Sequence, residues 1–405
     1  MFTRPVWAEI SRQNLIENYR QLRALAGADA DLLAVVKANA YGHGILECAP
    51  LLVAAGADWI GVTCVEEGIR VRAVCPDVRI LVMSGVWRGE AEAALEHGLT
   101  AVAWEPFHLD LLEAAAARTG LAPAGVPIHL EIDTGMSRQG VRFVHPDVDQ
   151  AGLRAMLTRF HDGSTLRGSP LRLEGLMTHF SAPEALDEAT TGEQVGRFAT
   201  ALGIVQSDGF RPRWVSAGNS ATVLTELEIQ RLKLLADGAG GCLLLRPGLA
   251  LYGYPPQFST GNEAAVGLKP VPLKPVLAWK TRVASLRTIQ AGDGAGYNAT
   301  FRASRPTRVA LLPCGYADGI SRLLSNRGQV LIRGERAPIV GRVSMDQTIA
   351  DVTGISGVEI GDEVALIGAQ GGATITTYDI ADLTGTIPYE VLCGINLRVP
   401  RVLVE

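Results

Sequence analysis

At 405 residues with 47% hydrophobic side chains, the chain carries enough apolar material for two or more domains, so size does not limit the fold. Its formal charge is only −5 and its basic residues are scattered, which argues against a nucleic-acid or anionic-membrane footprint and favours a small-molecule partner. The opening ten residues hold no apolar run of signal-peptide length and no later segment reaches a membrane span, so a cytosolic location is expected. The six cysteines, Cys48, Cys64, Cys75, Cys242, Cys314 and Cys393, form no Cys-x-x-Cys pair and have no histidines at zinc-like spacing; they read as reduced core thiols, with no metal site.

In chain order, a strand-like run at 5–9 comes first. From about residue 30 to 255, short β-rich apolar runs alternate with helix-length amphipathic stretches, the pattern of parallel βα units. The spacing predicts eight strands, at 32–36, 59–63, 79–83, 100–103, 128–132, 173–178, 214–217 and 247–252, with helices such as 66–74, 106–118 and 193–207 between them. A closed (β/α)8 TIM barrel is the economical reading, and pattern alone also allows an open doubly wound sheet. After Pro255 a segment rich in Gly, Pro and Asn leads into closely spaced strand-like runs at 279–285, 308–312, 329–332 and 363–367, almost free of long helical patterns. The expected organisation is an α/β barrel over 1–255 and a C-terminal, mostly β domain over 256–405, with the first ten residues able to pair with either.

In a barrel, reactive groups project from the C-terminal ends of strands and the loops after them. Lys37 directly follows Leu33-Ala34-Val35-Val36 and precedes Ala38-Asn39-Ala40-Tyr41-Gly42-His43-Gly44, whose glycines permit close backbone turns. Alone, Val-Val-Lys reads as a lysine snorkelling out of a strand end. A lysine held against an apolar strand end can also shed its proton and become the amine nucleophile that a carbonyl cofactor requires.

The segment from Ala34 to Gly44 closely resembles the pyridoxal 5'-phosphate (PLP) attachment segment of the alanine racemase family, and the resemblance runs from Arg4-Pro5-Val6-Trp7 to Arg398-Val399-Pro400-Arg401. It implies a fold-type III PLP enzyme, a homodimer whose active sites are each completed by the partner subunit, interconverting L- and D-alanine and supplying D-alanine for peptidoglycan. By the same resemblance, Lys37 holds PLP as a Schiff base and moves a proton on one face of the substrate α-carbon. Tyr297, in Gly294-Ala295-Gly296-Tyr297, is the opposing base from the other subunit. Two bases on opposite faces suit racemisation, because one removes the proton and the other returns it to a planar carbanion. Arg246, of Arg246-Pro247-Gly248-Leu249, faces the pyridine nitrogen and discourages its protonation, while His179 links the catalytic tyrosine to that arginine. The phosphate falls to Tyr41, to Ser220 of Gly218-Asn219-Ser220, to backbone N–H groups around Gly248 and Leu249, and to Tyr389, with Asn219 counted among the cofactor-binding residues. Arg138 and the backbone of Met345 receive the substrate carboxylate, with Tyr316 and Asp346 at the active-site mouth.

Taken singly, these residues would read as a tyrosine in a β loop, a turn arginine, a structural histidine and solvated charges. One departure from the family is plain: where many members carry a lysine that becomes carbamylated and braces the carboxylate-binding arginine, this chain has Glu131 in His129-Leu130-Glu131-Ile132-Asp133. Glu131 is expected to orient Arg138 directly or through water. A serine or broad-specificity racemase would use the same residues around a different pocket. A fold-type III decarboxylase puts an acid where this chain has Arg246, and a single-barrel PLP homeostasis protein lacks the C-terminal domain that carries Tyr297 and Met345.

Overall fold

A computed structural model describes residues 4–121, 125–161, 169–186, 189–259 and 267–405. It divides into two compact units, one of Leu15–Ala40 and Cys48–Leu273, the other of Met1–Asn14, Tyr41–Glu47 and Lys274–Glu405.

After β1 (Val6–Ser11), the first unit is built on β2 (Ala30–Val35), β3 (Trp59–Val62), β4 (Arg79–Val82), β5 (Thr100–Ala103), β6 (Val126–Asp133), β7 (Val141–Arg142), β8 (Leu171–Thr178), β9 (Trp214–Ser216) and β10 (Cys242–Leu245). Eight of these run parallel in the order β5-β4-β3-β2-β10-β9-β8-β6, and pairing of Ala101 with Ile128 closes the sheet; the short β7 hangs on β6. Buried on both faces, these strands are near-continuous apolar runs rather than alternating ones, which is why they stood out in the sequence. The barrel interior is packed tightly enough that a Cβ on Gly175 would lie 2.6 Å from the His129 ring. Helices Val65–Val74, Pro106–Thr119 and Thr190–Ser207 lie at the predicted places, the second opened by Pro106 in its first turn and closed by left-handed Gly120.

The last barrel strand differs from expectation. The eighth strand is Cys242–Leu245, paired to Ala30–Leu32 and to β9, while Leu249–Tyr252 is a 3-10 turn. Pro247 has no N–H to give a ladder and Gly248 breaks the extended path, so the β-rich look of 247–252 could not become a strand. Cys-Leu-Leu-Leu lacks the β-branched residues that mark a strand in sequence.

In the second unit, β1 pairs antiparallel with β11 (Leu277–Arg282) and parallel with the C-terminal Arg401–Val404, so the first and last described strands are neighbours. Glu363–Gln370, Gln329–Ile332 and Glu335–Pro338 extend that sheet, and Ser285–Ile289, Thr307–Leu312 and Thr348–Asp351 form a second one. Two short helices, Thr377–Thr384 and Pro388–Cys393, complete it; the first begins with a reciprocal Thr376–Asp379 capping box. Among the described residues, no helix is long and apolar enough to cross a membrane.

Candidate active site

Lys37 stands at the C-terminal end of β2, where the chain turns in an unusual way. Ala38, Asn39, Ala40 and Tyr41 all have positive φ, between 51° and 56°, forming one left-handed turn without a glycine. Each such residue costs about 1–2 kcal/mol, so the surroundings must over-determine the turn. Ala40 N–H donates back to Val36 O at 2.7 Å, and Glu67 accepts from the N–H groups of Asn39 and Thr63, tying the turn to the neighbouring strand end.

Arg246 follows the last barrel strand and is only 4% exposed. Its guanidinium donates to Ser216 Oγ and the Thr178 carbonyl, each at 2.8 Å, and contacts His179 Nδ1 at 3.1 Å. A guanidinium has no acceptor, so Nδ1 must accept and the histidine's proton sits on Nε2, where it can be donated onward. Burial, then the nearby charges of Arg246, Arg138 and Lys37, pushes the His179 pKa down to about 3, which keeps the ring neutral. Burial also draws Arg246 down to about 10, and Glu131 opposes that fall.

The loop after β6 carries Arg138. Asp133 shapes it: one carboxylate oxygen accepts from the N–H groups of Gly135 and Ser137, both at 3.0 Å. At Gly140 no side chain fits, since a Cβ would lie 2.4 Å from Asp133 N. Glu131, 1% exposed, accepts from Gln139 Nε2 at 2.6 Å, and the same amide donates to Met83 O at 3.0 Å. Burial raises the Glu131 pKa to about 7; the Gln139 hydrogen bond and the charges of Arg246 and Arg138 pull against it and do not win. Glu131 is thus bonded through Gln139, while Arg138 acts on it through charge. Arg138 itself is exposed.

Ser220 begins a short helix, Ser220–Val223, capped by Asn219, whose side chain accepts from Ala221 N–H at 2.9 Å. The buried Ser220 Oγ accepts from the N–H groups of Gly248 and Ala250, at 3.0 and 3.2 Å. Its own hydroxyl proton is not consumed by those bonds and is available to an anion. Leu249 is buried at the start of the 3-10 turn that follows Gly248.

The second unit holds the other candidates. Tyr41 is buried, and its ring lies 5.9 Å from that of Tyr389 at the start of helix Pro388–Cys393. Tyr297 opens a 3-10 turn, Tyr297–Ala299, and is 70% exposed. Tyr316 and Met345 lie on two loops locked together: Tyr316 N–H donates to Ser344 O at 2.9 Å and Ala317 N–H to Met345 O at 3.0 Å. Asp346 is ion-paired with Arg398, whose Nε also reaches the fully buried Asp318 at 2.8 Å. Sequence reasoning passed over Gln139, Asp133, Ser216, Thr178, Arg398 and Arg401. Only Asp133 carried a local signal, an aspartate two residues before a glycine in a turn.

The closed parallel barrel, with a lysine at one strand end and a covered arginine–histidine pair at others, in one chain with a mostly β unit, defines the class of two-domain α/β-barrel proteins. Comparison with known proteins narrows that class. Residues 10–256 match the N-terminal domain model of alanine racemase and residues 276–403 the C-terminal domain model, and the chain belongs to the alanine racemase family. It is 37% identical over 404 residues to alanine racemase from Halothermothrix orenii, covering 98% of this chain and 97% of that protein. Against the enzyme from Symbiobacterium thermophilum it is 39% identical over 399 residues, with 98% and 97% coverage. Among solved structures, alanine racemase from Bacillus anthracis with bound L-Ala-P superposes with a TM-score of 0.83 at 30% identity, covering 100% of this chain and 96% of that one. The Bartonella henselae enzyme with covalently bound pyridoxal phosphate gives 0.79 at 28% identity, with 99% coverage of both.

Proposed function

We propose that this protein interconverts L- and D-alanine with pyridoxal phosphate carried on Lys37. The observation that supports this best is Arg246. A covered, charged guanidinium bonded to His179 follows the last barrel strand, and by the family resemblance it would face the pyridine nitrogen, where a decarboxylase would carry an acid.

The residues present fit the cofactor. An amine stands at a barrel strand end, and a buried serine hydroxyl with its proton to give sits against the amide of Gly248, after the last strand, where barrel enzymes commonly hold phosphate. When bound, pyridoxal phosphate supplies the electron sink that makes an amino acid α-proton removable. Lys37 carries the cofactor and takes or returns the proton at its amine on one face. Tyr297, from the second subunit of a homodimer, serves the opposite face through its phenol oxygen. His179, held neutral with its proton on Nε2, can hydrogen-bond a phenolate without adding a competing charge. Arg138 takes the substrate carboxylate in its planar fork, on a loop whose path Asp133 sets. Tyr316, Met345 and Asp346 border the substrate.

Incubation of the holoenzyme with a panel of L-amino acids, followed by chiral chromatography, tests this reading. Alanine is expected to approach an equal mixture of enantiomers fastest. Appreciable turnover of serine, large or basic side chains with alanine inert would overturn it.

A further inference from the structure

Arg401 directs guanidinium N–H groups at four main-chain carbonyls. Nε donates to Gly42 O at 2.8 Å, and Nη2 donates to Gly42 O and Ile395 O, both at 2.7 Å. Nη1 donates to Asn396 O at 2.7 Å and Val399 O at 2.6 Å. The carbonyls belong to two places that matter. Gly42 follows Tyr41 at the end of the left-handed turn that begins beyond Lys37, and Ile395 and Asn396 lie just past helix Pro388–Cys393, which carries Tyr389. Space reinforces the link. Gly42 has φ +81°, and a Cβ there would lie 2.1 Å from Leu392 O, so the turn and the end of that helix meet backbone to backbone.

We propose that Arg401 is a positioning residue for the phosphate end of the cofactor site, holding the Tyr41–Gly42 turn against the helix of Tyr389 so that the two phenols keep their spacing. The proposal rests on the pyridoxal phosphate reading above. Four consecutive left-handed residues without glycine do not hold themselves, and a planar five-donor fork is the side chain able to bind a carbonyl from the turn and three from the C-terminal segment at once. Lysine has fewer donors on a single nitrogen and cannot reproduce that span. The guanidinium lies on carbonyls, not among the reacting groups, so its loss should weaken grip on the phosphate and spare contacts to the pyridine ring.

The test compares pyridoxal phosphate with pyridoxal, which lacks the phosphate, on apo-enzyme reconstituted by titration and followed by the absorbance of the imine and by tryptophan fluorescence. In Arg401→Gln the dissociation constant for pyridoxal phosphate is expected to rise roughly 10- to 100-fold, the scale of losing hydrogen bonds from a charged donor. Arg401→Lys should fall between this variant and wild type. Pyridoxal affinity should stay within about twofold in both variants, because the cradle under test touches only the phosphate. Equal losses for the two ligands, or unchanged affinity for pyridoxal phosphate in the folded variants, would overturn the role. Failure of both variants to fold would assign Arg401 to general stability and also overturn it. A wild-type protein that binds no pyridoxal phosphate would instead sink the functional reading on which the inference stands.

Discussion

Replacing Glu131 with glutamine should change how stability depends on pH, in a direction and size that the buried site sets. Burial lifts this carboxyl from an ordinary 4.5 to about 7, so between those values the native protein keeps a proton that the unfolded chain has shed. The native state then binds more protons than the unfolded state, and stability falls as pH rises through that window. The contribution is fully present below the ordinary carboxylate value and is lost once the folded carboxyl ionises near pH 7. A displacement of that size corresponds to about 3 kcal/mol. Glu131→Gln keeps the shape and can still accept from Gln139, but it has no proton to lose. Urea unfolding of wild type and variant at intervals from pH 5 to 8 should therefore show wild type losing about 2.5 kcal/mol relative to the variant, with the difference nearly level above pH 7.5. A constant difference across the range would refute the buried, proton-holding Glu131. The same variant should raise KM for alanine by roughly three- to tenfold above pH 7, where wild-type Glu131 is ionised and its charge acts on Arg138. Unchanged KM and kcat would remove Glu131 from the support of Arg138.

Two further outcomes address the chemistry. Borohydride should fix pyridoxal phosphate on Lys37, because reduction turns a reversible imine into a stable amine, and peptide mass spectrometry placing the label on another lysine would displace the site. Lys37→Ala and Tyr297→Phe homodimers should each be nearly inactive, yet dissociating and reassembling them together should restore activity. About half of randomly paired dimers are mixed, and each mixed dimer holds one site with both groups intact. Verified subunit exchange without recovered activity would put both groups on one chain or end the two-base mechanism.

The parallel barrel was legible because a strand buried on both faces must be a continuous apolar run, and seven of its eight strands lie within a few residues of the predicted ranges. The eighth was misplaced because local β-propensity favoured 247–252, whereas pairing partners on both sides, Ala30–Leu32 and β9, select Cys242–Leu245. Family resemblance singled out Lys37, Arg246 and Tyr297 from short motifs. It offered no hint that Glu131 bonds to Gln139, because a loop brings an amide back over a strand and no spacing rule covers that return. The sequence by itself thus determined seven of the eight barrel strands and which residue types follow their ends, since both follow from local periodicity and side-chain chemistry. Only the tertiary structure decided that β1 lies beside the C-terminal strand, that four left-handed residues follow Lys37, and that Arg401 reaches back to Gly42. These are contacts to backbone carbonyls and strand edges, which every residue possesses alike, so no residue type in the sequence announces them.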